Sequence, residues 1–343
     1  MTDFLIKTIN DKNTWENFLL SRPEANFLQS WQFGEFHSEL NKKIFRLAVF
    51  DQEKIQAAAL LVKETAKRGS YLTIAGGPLF DKNHPNANTI FKFFTDHFRK
   101  IAKKEKCAFI RLRPQLINTP ENKKLFFSNN YQLSPMHLTA DLTIQIDLKR
   151  SEEEILASMR KNTRYEIRKS QRIGIITKQS KNSGDIEEFH KYQLLLAKQH
   201  GFVPFPYDFL LAQFRNMLVD DQVCLIHSYD KEELLASAFI IFYNNEAVYH
   251  YGISTPANKK KPGSYACQWA AILEAKRRGC AKYNMWGIAP KEQTSHRFAG
   301  VSIFKRGFGG DEVAYLPAMD LATSPMYSLV KTFETIRKVK RNL

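Results

Sequence analysis

The stretch QVCLIHSYDKEELLASAFIIFYNNEAVYHYG, from Gln222 to Gly252, reads as three strands in succession. Apolar residues dominate Gln222–His227, Leu234–Tyr243 and Ala247–Tyr251, in runs of strand length. Between these runs stand acidic residues and an Asn-Asn pair, which are typical of tight turns. The stretch therefore predicts three strands joined by two short turns.

The same order of elements occurs twice in the chain. After Gly252 comes a basic loop, NKKKPGS, then a predicted helix from Tyr265 to Arg278 and a strand from Cys280 to Trp286. The first half has the matching order, with strands at Ile44–Val49, Ile55–Lys63 and Tyr71–Ile74, a helix at Ala87–Lys104 and a strand at Ala108–Leu112. Such a repeat predicts a duplicated module of the α/β (α+β) class, with mixed sheets and flanking helices.

The composition is that of a globular protein that meets polyanions or is simply very soluble. The 343 residues carry a net charge of +16, which attracts nucleic acid, phosphorylated substrates or anionic lipid. Four cysteines stand far apart without a Cys-x-x-Cys pair, which argues against structural zinc and disulfides. The N-terminus has no apolar leader, and no apolar run has the length of a membrane span. A cytoplasmic protein is therefore expected.

Two basic helices are predicted. The first runs from Leu156 to Gly174, and its cations recur every three or four residues, at Lys161, Arg164, Arg168 and Arg172. Four like charges on one face favour contact with an anion such as RNA phosphate, although a solvated face explains them too.

The second basic helix runs from Tyr327 to the end of the chain. It carries Arg337, Lys338, Lys340 and Arg341. These cations suit RNA or the anionic inner leaflet of a membrane, or simply a solvated, frayed end.

A glycine-rich segment, FKRGFGGDE, spans Phe304 to Glu312. Glycine turns beside cations often hold phosphate, and they also often serve only to turn a corner. The residues alone leave both interpretations open.

Five segments of the sequence together resemble the FemABX family. They are FLQSWQFGEF from Phe27, the Gly-Gly-Pro at Gly76, MRKNTRYEIRKSQRIG from Met159, HYGIS from His250, and FKRGFGGDEVAYLPAMDL from Phe304. The resemblance covers about residues 27–325. It implies a tandem pair of GNAT-like units, the first of residues 1–148 plus 313–343 and the second of residues 149–312. No coiled-coil arm is expected, because the helical region from Ile186 to Met217 is too short.

The family's activity is the transfer of an amino acid from aminoacyl-tRNA to the stem peptide of a peptidoglycan precursor. The resemblance therefore implies two partners, aminoacyl-tRNA and either lipid II or UDP-MurNAc-pentapeptide. A monomer is expected, with peripheral contact at the inner membrane face as a further expectation. The ester is already activated, so no cofactor is expected, and the histidines form no cluster spaced for metal binding.

The resemblance also implies site residues. Lys305 is the expected catalytic residue, placed where the tRNA-borne ester meets the acceptor amine. Phe304 is expected to pack on the terminal adenine or in the core. Gly307 and Gly309 are expected to let the backbone approach a substrate or adopt a positive φ.

The precursor is expected to contact further residues. His37 stands where the family commonly has a lysine that binds diphosphate, and Phe205 stands where an arginine is expected. Because of that departure, Arg164 and Arg168 are considered as substitutes. Tyr251 corresponds to a family tyrosine in the acceptor cleft, although a core position is the more common one for a tyrosine on a strand. Arg111 lies near the end of a strand that borders the cleft.

Two other functions remain open at this point. The sequence KKPGSY, Lys260 to Tyr265, half matches the turn that holds coenzyme A pyrophosphate at a helix N-terminus in GNAT acetyltransferases. That match keeps an acyl-CoA-dependent N-acyltransferase as an alternative. A non-catalytic RNA-binding protein on the same fold is the other.

Overall fold

The computed structural model describes residues 4–66 and 69–340, with side chains through residue 338. The predicted basic tail residue Arg341 and the side chain of Lys340 lie outside this description. The chain divides into two compact units. The first comprises Met1–Leu142, Lys291–Arg297 and Ala314–Leu343, and the second comprises Thr143–Pro290 and Phe298–Val313.

The first unit is a mixed sheet with helices packed on it. Its strands are β1 (Phe4–Thr8), β2 (Ile44–Asp51), β3 (Lys54–Ala66), β4 (Gly69–Gly76), β5 (Leu79–Phe80), β6 (Cys107–Pro114), β7 (Gln132–Leu133) and β15 (Met319–Ala322). Its helices are α1 (Lys12–Leu20), α2 (Trp31–Glu39), α3 (Ala87–Lys104), α4 (Pro120–Phe127) and α11 (Met326–Lys340). The strand order is β1-β2-β3-β4-β6-β15-β7, and β5 pairs with β3.

Helix α3 shows why this unit forms. Its apolar residues recur every three or four positions, so Ile90, Phe94 and Phe98 share one face. All three are buried against the sheet. The predicted bounds of this helix, Ala87 to Lys104, are confirmed.

The second unit repeats this plan. Its strands are β8 (Leu142–Asp147), β9 (Ile176–Ser180), β10 (Val223–Asp230), β11 (Glu233–Tyr243), β12 (Glu246–Ser254), β13 (Lys282–Gly287) and β14 (Asp311–Ala314). Its helices are α5 (Glu152–Ser158), α6 (Lys161–Arg172), α7 (Asp185–His200), α8 (Tyr207–Leu218), α9 (Gly263–Arg277) and α10 (Ala299–Arg306). The strand order is β14-β8-β13-β12-β11-β10-β9.

Each unit contains a parallel strand pair at the equivalent point of its repeat. In the first unit β4 pairs with β6 across helix α3, and in the second β12 pairs with β13 across helix α9. The connection in each case is one long helix, as parallel pairing requires. Both sheets also contain antiparallel pairs, such as β2 with β3 and β10 with β11, so the predicted mixed sheets are present.

The predicted helix from Leu156 to Gly174 is wrong in one respect, because it is two helices. Helix α5 ends at Ser158, Met159 has an extended backbone (ψ 157°), and α6 begins at Lys161. At the break, the backbone N–H of Arg160 donates to the carbonyl of Gly307 at 2.9 Å. The interruption is therefore stabilised by the glycine-rich segment, a tertiary contact that helical periodicity does not report.

Within residues 4–66 and 69–340, every helix is too short or too polar to traverse a lipid bilayer.

Candidate functional site

Strands β12 and β13 of the second unit pair over only part of their length. Their parallel register runs from Glu246 with Lys282 to Val248 with Asn284. Beyond that point β12 continues along β11, whereas β13 continues along β8. The two strands therefore part after Val248 and Asn284, and divergent parallel strands leave room for other groups between them.

A backbone irregularity marks each strand where the two part. In β12 the register against β11 slips, so that Tyr249 faces Ile240 while Tyr251 faces Phe239, with His250 as the extra residue. In β13 the register against β8 slips between Asn284 and Gly287.

In β13 the irregularity lies at Trp286, which has a φ of 59°. Non-glycine residues rarely adopt a positive φ, and they cluster at functional sites. The rings of Trp286 and His250 lie 5.5 Å apart, edge to face. Sequence reasoning missed this contact, because alternation along a strand does not predict a bulge.

Lys305 reaches the same place from helix α10. The sequence suggested a lysine beside a glycine turn, but Phe304, Lys305 and Arg306 form the last turn of α10. The Lys305 side chain donates a hydrogen bond from Nζ to the carbonyl of Gly287 at 2.8 Å. Its Nζ also lies 5.5 Å from the ring centre of Tyr249. Lys305 is only 7% exposed, so a buried amine stands where the two strands part.

Burial controls the protonation of this site. Desolvation lowers the pKa of Lys305 from 10.5 to about 7, because a charged ammonium is costly in an apolar environment. Burial and the neighbouring Lys305 lower the pKa of His250 to about 3, so this imidazole is neutral. His250 Nε2 lies 3.1 Å from the amide nitrogen of Gln213, from which a neutral ring can accept a hydrogen bond.

The glycines after Lys305 permit close packing within the unit. A Cβ on Gly307 would stand 2.5 Å from Thr163 Oγ1, and Gly309 has a φ of +79° with the Ser158 carbonyl 3.0 Å from its Cβ position. Arg160, which sequence reasoning missed, also donates from its guanidinium to the Ile303 carbonyl. This geometry favours the interpretation of Gly307 and Gly309 as a tight corner rather than a phosphate cradle.

Phe304 belongs to an aromatic cluster beside the start of α9. Its ring meets Tyr265 at 5.2 Å and Phe308 at 5.1 Å, both edge to face. Phe304 itself is half-buried, so part of the ring remains accessible for a base to pack on.

Tyr251 lies on the other side of the sheet from Tyr249 because of the bulge at His250. It packs against Phe205 at 4.9 Å, and Phe205 stacks on Phe209 at 4.9 Å. Phe205, which stands where an arginine was expected, therefore supplies aromatic packing around Tyr251 instead of charge.

The two arginines considered as substitutes behave differently. Arg164 donates to the carbonyls of Ala157 and Met159, so it caps the end of α5. Arg168 is exposed on α6, as are Lys161 and Arg172. Arg168 is therefore the more accessible cation of the two.

Arg111 lies in a buried ion-pair network of the first unit. It donates to Asp320 Oδ1 at 2.7 Å and to Glu334 Oε2 at 2.6 Å. Burial acts to lower its pKa, but these two carboxylates outweigh it and raise the pKa. The two carboxylates accept from Nε, Nη1 and Nη2 of Arg111, so this geometry favours a structural role, and the substrate-contact role of Arg111 stays a prediction.

His37 is also buried in the first unit. Its ring lies 4.7 Å from Phe33 and 4.6 Å from Phe36. Burial, with Lys42 nearby, lowers the pKa of His37 to about 3. A neutral imidazole supplies no positive charge, so the structure does not support His37 as a diphosphate-binding cation.

In the segment that half matches the pyrophosphate-binding turn, a backbone N–H is already hydrogen-bonded within the protein. Asn258 Oδ1 accepts from the backbone N–H of Ser264 at 3.0 Å, at the first turn of α9. A Cβ on Gly263 would stand 2.4 Å from Leu235 Cβ, so this glycine serves helix–sheet packing. Among the described residues, no group of three or more histidine, cysteine, aspartate or glutamate side chains is arranged to hold a metal ion.

Comparison with known proteins places this chain in a family. The sequence profile of the FemAB family matches residues 11–134 and 219–335, which cover parts of both halves of the repeat. The chain belongs to the FemAB family. The resemblance found in the sequence is thereby confirmed.

Curated relatives of this FemAB-family chain are similar over short segments. Aminoacyltransferase FemA of Staphylococcus epidermidis is 30% identical over 105 residues, which are 30% of this chain and 25% of that protein. Aminoacyltransferase FemA of Staphylococcus aureus (strain MW2) is 33% identical over 110 residues, which are 32% and 26% of the two chains. The matches thus span about a quarter of each relative.

Solved structures agree over nearly the whole chain. The crystal structure of FemX superposes with a TM-score of 0.84 at 14% identity, covering 95% of this chain and 100% of that one. A tandem GNAT protein from the clavulanic acid biosynthesis pathway superposes with a TM-score of 0.59 at 11% identity, covering 94% and 99%. At these identities the likeness concerns the fold, and the predicted tandem pair of GNAT-like units is confirmed.

Proposed function

We propose that this FemAB-family protein is an aminoacyltransferase that builds peptidoglycan cross-bridges. It transfers an aminoacyl group from aminoacyl-tRNA to the side-chain amine of the stem peptide of a cell-wall precursor. The observation that carries this proposal is the buried Lys305 at the point where β12 and β13 part, donating to the Gly287 carbonyl. Titratable groups whose pKa values are strongly shifted by burial cluster at functional sites.

The proposed reaction needs alignment and charge stabilisation more than a covalent intermediate. The acceptor amine attacks the ester carbonyl carbon, and a C–N bond forms as the carbonyl oxygen becomes negative. The C–O bond to the ribose then breaks, and a proton lost by the amine ends on the leaving ribose hydroxyl. A fixed ammonium at Lys305 stabilises the negative oxygen, an effect that commonly accelerates such reactions about 10²–10³-fold.

The proposal assigns the remaining residues more limited roles. Phe304 presents the accessible part of its ring to the terminal adenine of tRNA, and Tyr251 lines the region that receives the acceptor peptide. Arg168 on α6 meets RNA phosphate, since it is exposed and accompanied by Lys161 and Arg172. The protein acts in the cytoplasm as a monomer, on either lipid II or UDP-MurNAc-pentapeptide.

A direct test provides the protein with both proposed substrates, aminoacyl-tRNA and precursor, in one reaction. The protein is incubated with a mixed aminoacyl-tRNA pool and both precursor forms, and products are weighed by mass spectrometry. The expected result is a precursor heavier by one or more aminoacyl residues, lost when RNase is added first. The mass identifies the amino acid, and the modified precursor identifies the acceptor.

Two results would contradict the proposal. A product that survives RNase and requires acyl-CoA would indicate the N-acyltransferase alternative, against which the Asn258 contact at α9 already weighs. RNA binding without turnover of any aminoacyl-tRNA would indicate a non-catalytic RNA-binding protein.

A further inference from the structure

Helix α11 has one face held firmly by the first unit. Tyr327 and Val330 are buried, and the Tyr327 ring packs 5.2 Å from Phe109. The Tyr327 hydroxyl donates to Asp320 Oδ2 at 3.0 Å. Glu334 on the same face accepts from Arg111 at 2.6 Å, so aromatic packing and an ion pair fix the orientation of the helix.

The opposite face of α11 is apolar and exposed. Its large apolar side chains are spaced by three or four residues, which places them on one stripe, namely Met326, Leu329, Phe333 and Ile336. Leu329 is 75% exposed and Ile336 is 50% exposed. A globular protein normally buries such a stripe, so an exposed one indicates a surface that binds a membrane or another protein.

The charged residues of α11 also differ between its two faces. Glu334 is the only acidic residue from Met326 to Leu343, and it faces inward to Arg111. Lys331 is held by Gln132 at 2.6 Å, whereas Arg337 is exposed next to Ile336. The sequence from Arg337 to Arg341, RKVKR, is almost wholly basic. The outer face therefore combines apolar side chains with positive charge and no acid.

We propose that the outer face of α11 docks on an anionic lipid membrane. Leu329 and Ile336 enter the interface between headgroups and acyl chains, and Arg337 meets the lipid phosphates. An exposed apolar stripe with cations is the pattern of helices that lie in a membrane interface. Positive charge without acid suits an anionic lipid surface in particular. The helix is already folded and anchored, so docking orders no new segment.

Vesicle binding tests this inference without any turnover, so it is independent of the proposed activity. The full chain is sedimented with vesicles of phosphatidylcholine containing about one-third phosphatidylglycerol, and with vesicles of phosphatidylcholine alone. The protein is expected to bind the anionic vesicles. The double variant Leu329→Gln/Ile336→Gln, which keeps both charge and helix propensity, is expected to bind about tenfold more weakly or worse. The matched control Ser328→Ala/Thr335→Ala changes exposed polar residues of the same helix and should bind as the unmodified chain does.

Because the chain carries a net charge of +16, charge alone could bring it to anionic vesicles. Equal binding of the Leu329→Gln/Ile336→Gln variant would therefore overturn the proposal, as would absence of binding at low salt. Analytical ultracentrifugation gives a further outcome. Self-association that disappears in the double variant would assign this face to a second copy of the chain, and would likewise overturn membrane docking.

Discussion

The ammonium nitrogen of Lys305 lies 2.8 Å from the carbonyl oxygen of Gly287, which joins the last turn of helix α10 to the end of strand β13. The lysine is therefore placed for two roles, one structural and one catalytic. It ties a helix to a strand end, and it places a titratable amine beside Tyr249 and His250.

Replacing Lys305 by methionine should abolish most of the transferase activity. Methionine keeps an apolar stem of similar length but has no charge, so kcat/KM is expected to fall about 10²-fold or more. Steady-state kinetics with a saturating precursor measure the loss. Lys54→Met removes an exposed lysine of the first unit and is the matched control. Full activity of Lys305→Met with unchanged tRNA binding would rule out the catalytic assignment.

The activity should depend on pH through Lys305. Its pKa of about 7 means that the ammonium is lost as the pH rises through neutrality, so charge stabilisation declines above about pH 7. The acceptor amine becomes more reactive over the same range, which masks the effect in the raw profile. The ratio of wild-type activity to that of Lys305→Arg cancels this contribution, because arginine stays charged. That ratio is expected to fall above about pH 7, and a rising ratio would indicate that the lysine acts as a general base instead.

The same lowered pKa makes a prediction about stability. Between its folded-state pKa of about 7 and its unfolded value of 10.5, Lys305 binds more protons in the unfolded chain. Stability contributed by this residue therefore rises with pH across that window and is lowest below it. Thermal unfolding of the wild type, compared with Lys305→Met, should show the wild type gaining stability between about pH 7 and about pH 10. Parallel pH curves for the two proteins would mean that Lys305 is not desolvated in the folded state.

Arg111 should matter for stability more than for substrate binding. Arg111→Met leaves Asp320 and Glu334 without their cation, and breaking such a buried pair typically costs about 3–5 kcal/mol of the free energy of unfolding. Urea denaturation measures the loss. The triple variant Arg111→Met/Asp320→Asn/Glu334→Gln removes all the charges and should recover part of it. If Arg111→Met instead raised KM for the precursor without loss of stability, Arg111 would be a substrate contact after all.

The exposed cations of α6 should contribute to tRNA affinity in a salt-dependent way. Arg168→Gln is expected to reduce the slope of log affinity against log salt by about one if it removes one phosphate contact. Lys161 and Arg172 should behave similarly, whereas Lys54→Met should leave the slope unchanged. Filter binding with uncharged tRNA at several salt concentrations measures the slope. A flat salt response of the unmodified protein would exclude the α6 face as the RNA contact.

Several features follow from the sequence because they depend on local patterns. The strands around Leu234–Tyr243, the helix at Ala87–Lys104 and the repeated order of elements all come from periodicity and turn residues, which need no knowledge of distant contacts. The motif around Lys305 was likewise readable, since a short run of glycines, aromatics and cations survives as a linear pattern.

Tertiary structure alone decided the local environment of those residues. His37, Arg111 and Arg168 are all cationic types in sequence, yet the first is buried and neutral, the second is paired with two carboxylates, and the third is exposed. The pKa of Lys305 and the bulge at His250 also depend on burial and on strand register. The burial of Lys305 arises from segments far apart in the chain, and the bulge at His250 arises from the pairing of β12 with β11, so alternation along a single strand encodes neither. The sequence determined which residues and elements are present, and long-range packing decided which of them carry charge, face solvent or come together.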